Sequence, residues 1–170
     1  GARDLETVIM DAERAQAHLK ELLAPGSTWA KRRFPYPEFA YDAQDRVCSP
    51  GAAGLVPCEE HVDPGVMATE QVVQMAQIRQ RPDEDELPVQ RIIDMSRVYL
   101  IFDSAADLLH GLYRLHQGLD IQWLENRFQS PSCVGHCDIS LGVGLNVSPR
   151  RHISELRLLL REVQTVSQGM

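Results

Sequence analysis

The chain has 170 residues, 44% hydrophobic and 24% charged, enough for one globular domain with a substantial core. Its 24 acids against 17 Lys and Arg give a formal net charge of -7, which argues against a nucleic-acid partner, because phosphate binding relies on a basic face. No apolar run approaches the roughly 20 residues that span a bilayer, and "GARDLETVIMDAERAQ" lacks the basic-then-apolar pattern of a secretory signal.

In chain order, residues 3–24 place Leu5, Val8, Ile9, Ala12, Ala15, Leu19, Leu22 and Leu23 at three- and four-residue spacing, which predicts an amphipathic helix ended by "APGS". Residues 25–63 hold Trp29, Phe34, Tyr36, Phe39 and Tyr41 among prolines 35, 37, 50 and 57, with Pro64 just beyond. Proline at that density forbids long regular elements, so an extended arm lying on a surface is expected. Its "AKRRF" has too few cations for nucleic-acid stacking. Residues 65–80 repeat the helical pattern, and the acidic "RPDEDELP" stops it as a solvated loop.

From residue 89 the pattern becomes strand, helix, strand. "VQRIIDMSRVYLIF" (89–102) alternates and is rich in β-branched and aromatic residues. "DSAADLLHGLYRLHQ" (103–117) offers Asp103 and Ser104 as caps and Ala106, Leu108, Leu109, Leu112 and Leu115 on one face, leaving His110 and His116 at the surface. A strand follows at 118–126, then a pair at about 136–147 and 151–160 joined by a basic turn. The glycines of "GVG" (142–144) point to a bulge or close packing rather than a phosphate loop, since no helix follows. The expected class is α+β: a mixed four- to five-stranded sheet with flanking helices, preceded by an N-terminal helix and arm. The division falls at 1–63 and 64–170.

Four cysteines divide into Cys48 and Cys58, whose intervening prolines and glycines rule out a helical hairpin, and Cys133 and Cys137 of "CVGHC". A zinc site needs about four ligands, and the outlying candidates, such as His61, are distant in sequence. Free thiols in a reducing intracellular compartment, cytoplasm or organelle interior, are the simpler reading.

Together, "IIDMSRVYLIFDSAADLLHGLYRL", "LENRFQSPSCVGHCDISLGVGLNV" and "HISELRLLLREV" resemble the nucleotidyltransferase-like core of the RelA/SpoT (p)ppGpp synthetases, and in particular its degenerate eukaryotic versions, over about residues 89–166. The resemblance implies that Asp94 stands where the family holds a magnesium ion, and Glu155 where it places a second carboxylate near metal and acceptor ribose. It gives His136 the position of the guanine-stacking Tyr and leaves Arg127 of "ENRF" as a further nucleotide contact, or as a residue holding the following loop. Asp138 falls where degenerate relatives also carry Asp, in a structural-looking place.

The departures matter more. The family's basic motif before the metal Asp is replaced by a segment containing "DEDEL", which repels a triphosphate. The Lys before "NRF" is Glu125, and the Gln of the last motif is Arg157. Phosphoryl transfer depends on neutralising charge over phosphate oxygens, and one lost donor costs roughly 3–4 kcal/mol. The expectation is a non-catalytic scaffolding subunit that meets other protein subunits through residues 3–63 and carries no cofactor. Asp94 and Glu155 would be vestigial, paired with Arg97 and Arg157 on the sheet. The alternative is a guanine-nucleotide sensor, or a (p)ppGpp-synthetase-like pyrophosphotransferase, that keeps magnesium at Asp94 and Glu155.

Overall fold

The computed structural model describes residues 4–23, 29–31, 58–86, 88, 95–131, 137–147 and 149–161. The elements are α1 (Leu5–Leu23), β1 (Ala30–Lys31), β2 (Glu60–Asp63), α2 (Thr69–Arg79), β3 (Arg97–Phe102), α3 (Ala105–Gly118), β4 (Ile121–Asn126), β5 (Ile139–Val147) and β6 (Arg150–Leu160). They build one mixed sheet in the order β1-β2-β3-β6-β5-β4. β3 runs parallel to β6, while β2–β3, β5–β6 and β4–β5 are antiparallel. The four expected strands are therefore present, with two short strands, β1 and β2, added on the β3 side of the sheet. The α+β architecture is as expected.

Alternation sorts the sheet into two faces. Ile139, Leu141, Val143, Leu145 and Val147 of β5 and Leu156 and Leu158 of β6 bury one face against Ala15, Leu19 and Leu23 of α1 and Leu108 and Leu115 of α3. The apolar stripe of α1 is thus consumed by the protein's own core. What α1 leaves outside is Met10 and Leu22, each a little over 40% exposed. α3 starts at Ser104, whose side-chain oxygen accepts from the Asp107 N–H at 3.1 Å. The second cap candidate, Asp103, instead pairs with Arg161.

Two boundaries moved. The first core strand is described from Arg97 rather than 89, with residues 95 and 96 in a bend and 89–94 outside the described residues. β2 and β1 arise inside the stretch read as an extended arm, where proline spacing forbids long regular elements, and they are four and two residues long. Strand β2 survives because it sits between Pro57 and Pro64, and short edge-side strands tolerate such flanks. The rest of the arm, 32–57, lies outside the described residues.

A single side chain fastens α1 to the start of β3. Gln16 Oε1 accepts from the Arg97 N–H at 2.7 Å and the Ser96 hydroxyl at 3.0 Å. Its Nε2 donates to the Arg97 carbonyl at 2.6 Å and to Asp63 at 2.8 Å. Lys20 closes the set by donating to Asp63 Oδ2 at 2.6 Å.

Candidate functional site: the polar face of the sheet

The face turned away from α1 and α3 carries the charge. Register places two rows across it. One row runs Arg97, Glu155, Gly142, Trp123; the next runs Val62, Tyr99, Arg157, Ser140, Glu125. Both rows follow from strand periodicity, because Glu155 and Arg157 are two apart on β6, and Arg97 and Tyr99 are two apart on β3.

These charges are buried. Arg97, Arg127, Asp138, Glu155 and Arg157 are all 9% exposed or less. Burial of a charge is tolerated only when it is paired and hydrogen-bonded, and the pairing is visible. Arg127 Nε donates to Asp138 Oδ1 at 2.5 Å, and the Arg127 N–H donates to the Asp138 carbonyl at 2.8 Å. Arg157 Nε donates to Glu155 Oε1 and stands 4.0 Å from Asp138 Oδ2. The Arg157 guanidinium also lies over the Tyr99 ring, 5.4 Å from its centroid. Asp138 is therefore the hub, with a guanidinium near each of its oxygens.

The residues singled out from sequence separate as follows. Glu155 and Arg127 lie on or beside this face and are joined through Arg157 and Asp138. Asp94, His136 and Cys133 lie outside the described residues. The Arg127 guanidinium bonds the Asp138 carboxylate rather than a carbonyl; only its backbone N–H reaches the Asp138 carbonyl. Asp138, which the motif comparison left in a structural-looking place, carries a buried carboxylate paired with Arg127 just outside β4 and β5. Glu125 is exposed on the edge strand, and His110 and His116 are exposed on α3. His61 is fully buried and stacks on Trp29 with ring centroids 4.9 Å apart, as packing residues do. Cys58 is partly buried against the core, and the desolvation pushes its thiol up to about 12.

Gly142 and Gly144 mark close packing, as expected. The Trp123 indole lies so near Gly142 that a Cβ there would meet Nε1 at 2.1 Å, and a Cβ at Gly144 would meet the Arg151 guanidinium at 2.4 Å. The register irregularity falls opposite them, between Ile121 and Trp123.

Magnesium fits this face poorly as far as it is described. A hard divalent ion takes free oxygen ligands, whereas Glu155 and Asp138 already hold guanidinium groups. Among the described residues, no three His, Cys, Asp or Glu side chains converge as a metal site.

The chain has a RelA/SpoT-like, nucleotidyltransferase-like α+β fold, seen in its structural neighbours. It aligns with a GTP pyrophosphokinase family protein from Streptococcus pneumoniae at TM-score 0.59 and 11% identity, over 97% of this chain and 73% of that one. The small alarmone synthetase 1 of Bacillus subtilis gives 0.59 and 14%, over 96% and 76%. The same synthetase bound to its product pppGpp gives 0.50 and 12%, over 62% of this chain and 58% of that one, less than two thirds of its length. No family model and no curated protein sequence matches the chain.

Proposed function

We propose that the protein is a non-catalytic, structural subunit of a larger protein assembly, built on a degenerate RelA/SpoT-like fold. The observation carrying this is the Glu155–Arg157 pair. The carboxylate expected near metal and ribose is occupied by an arginine of its own strand, and freeing it means breaking a buried ion pair, which costs about 3–5 kcal/mol. Contacts with other subunits through residues 3–63 would fall on the outward side of α1, with Met10 and Leu22, and on the arm.

One observation favours the guanine-nucleotide sensor instead. Three buried guanidinium groups share the face with two buried carboxylates, and Arg127 Nη2 has no hydrogen-bond partner among the described residues. An anionic group would satisfy it.

Calorimetric titration with GTP, GDP and ATP plus magnesium decides between the two. The structural reading expects no binding at millimolar nucleotide. Binding tighter than about 100 μM that is lost in both Asp94→Asn and Arg127→Gln would establish the sensor. Native purification supplies the positive arm: a stable multi-protein complex is expected, and a lone nucleotide-loaded chain would overturn it.

A further inference from the structure

Leu109, Tyr113 and Leu124 are 60%, 63% and 52% exposed, and all three border one groove. It has a volume of about 310 Å³, lined from α3 by Leu109, Leu112, Tyr113 and His116 and from β4 by Ile121 and Leu124. Beside it runs a sheet edge. β4 is the terminal strand and pairs only with β5, so its outer backbone N–H and C=O groups have no strand partner among the described residues. Such edges are usually guarded by Lys, Pro or inward charges. Here the regular stretch Trp123–Asn126 carries one charge, Glu125.

The charge pattern says what covers this edge. The flank of α3 on the groove side carries Leu109, Tyr113 and His116, then His110 and Gln117, with no Lys, Arg, Asp or Glu. Asp107 and Arg114 lie roughly 140° or more around the helix from Leu109, on its far side. A charged partner would find only Glu125 here to pair with. Two copies of a chain at net charge -7 repel over most of their surfaces, and least where the surface is uncharged. Antiparallel pairing of β4 with a second β4 about a two-fold at Leu124 is also free of like-charge opposition. It sets Leu124 against Leu124 and Glu125 against Trp123 of the second copy, and such cross-strand pairs decide whether strands associate.

We propose that the protein self-associates through β4, two copies joining edge to edge about Leu124 into one continuous sheet with the Leu109 and Tyr113 flanks of their α3 helices packed across the join. This does not rest on the non-catalytic reading, since either kind of protein can form the dimer.

Sedimentation velocity of the full chain over about 1–300 μM tests it, because a dimer's population depends on concentration. The expected result is a monomer–dimer equilibrium whose dissociation constant rises at least about tenfold in Leu124→Lys, where two cations face each other. Tyr113→Glu, a second variant at an exposed site, should weaken it likewise, with both monomers melting as the parent does. Leu124→Cys should cross-link into a dimer on mild oxidation much faster than the parent chain, whose own cysteines serve as control, because directly opposed positions have Cα separations that a disulfide accepts. A monomer throughout the range overturns the proposal, as does a dimer indifferent to both variants. A chain that is monomeric alone but whose β4 amides are protected by a different protein in a native complex overturns it too, in favour of a foreign strand.

Discussion

Asp138 and Arg127 show how a buried charge is retained at the level of single side chains. With Asp138 side-chain exposure at 2% and Arg127 at 10%, the pair at 2.5 Å is desolvated on both sides. Asp138→Ala strands the buried Arg127 guanidinium, while Arg157 keeps Glu155, and should lower stability by about 3–5 kcal/mol in urea denaturation; joint replacement of Arg127 and Asp138 by leucine should cost far less. Asp63 governs the acid side. Burial pushes its carboxyl up, but hydrogen bonds from Lys20, Gln16 and the Gly65 N–H outweigh this and hold it below its ordinary 3.8. A lowered folded value means its contribution is complete above about pH 4 and is lost as pH falls through the folded value. Asp63→Asn should therefore flatten the stability–pH curve below pH 4 and leave its shape near neutrality unchanged. Cys58, with its thiol pushed up to about 12, should resist iodoacetamide in the native protein and react once it is unfolded. At this scale the sequence told half the story. It named Glu155, Arg157 and Arg127 and suggested the pairing of two of them. It left Asp138 as a structural-looking position without naming its partner, because Arg127, eleven residues away across a loop, has no periodic signature.

Among the elements, the meeting of β4 and β5 depends on a glycine. Gly142→Ala would drive a methyl into the Trp123 indole, at 2.1 Å from Nε1, so the ring or the strand must shift. A cost of about 1–3 kcal/mol in thermal or urea denaturation is expected, recovered in part when Trp123 is also reduced to valine. Gln16 does comparable work between α1 and β3. Changing it to leucine strands the Arg97 N–H, and that unmet donor should cost about 1–3 kcal/mol. Helix and strand periodicity predicted α1, α3, β5 and β6 to within a few residues, because each buries a regular apolar stripe. It failed for β2. Four residues, Glu60–Asp63, with buried Glu60 and His61 do not alternate as apolar and polar. The strand is fixed by tertiary pairing with β3 and by the Arg161–Glu60 bridge at 2.9 Å rather than by local composition.

For the molecule as a whole, ion pairs tie distant parts of the chain together. Asp11 of α1 accepts from Arg150 Nε at 2.6 Å across 139 positions, and Glu60 accepts from Arg161 Nη1 across 101. Seen this way, β6 is the keystone, lying between β3 and β5 and touching α1 and α3 as well. Among the described residues it is also the last strand in chain order. During synthesis β2 can pair with β3, and β4 with β5, but the two groups cannot join into one sheet until residues 150–160 leave the ribosome. Closing the sheet is thus a late, non-local step, and loss of β6 would deprive β3 and β5 of their shared neighbour at once.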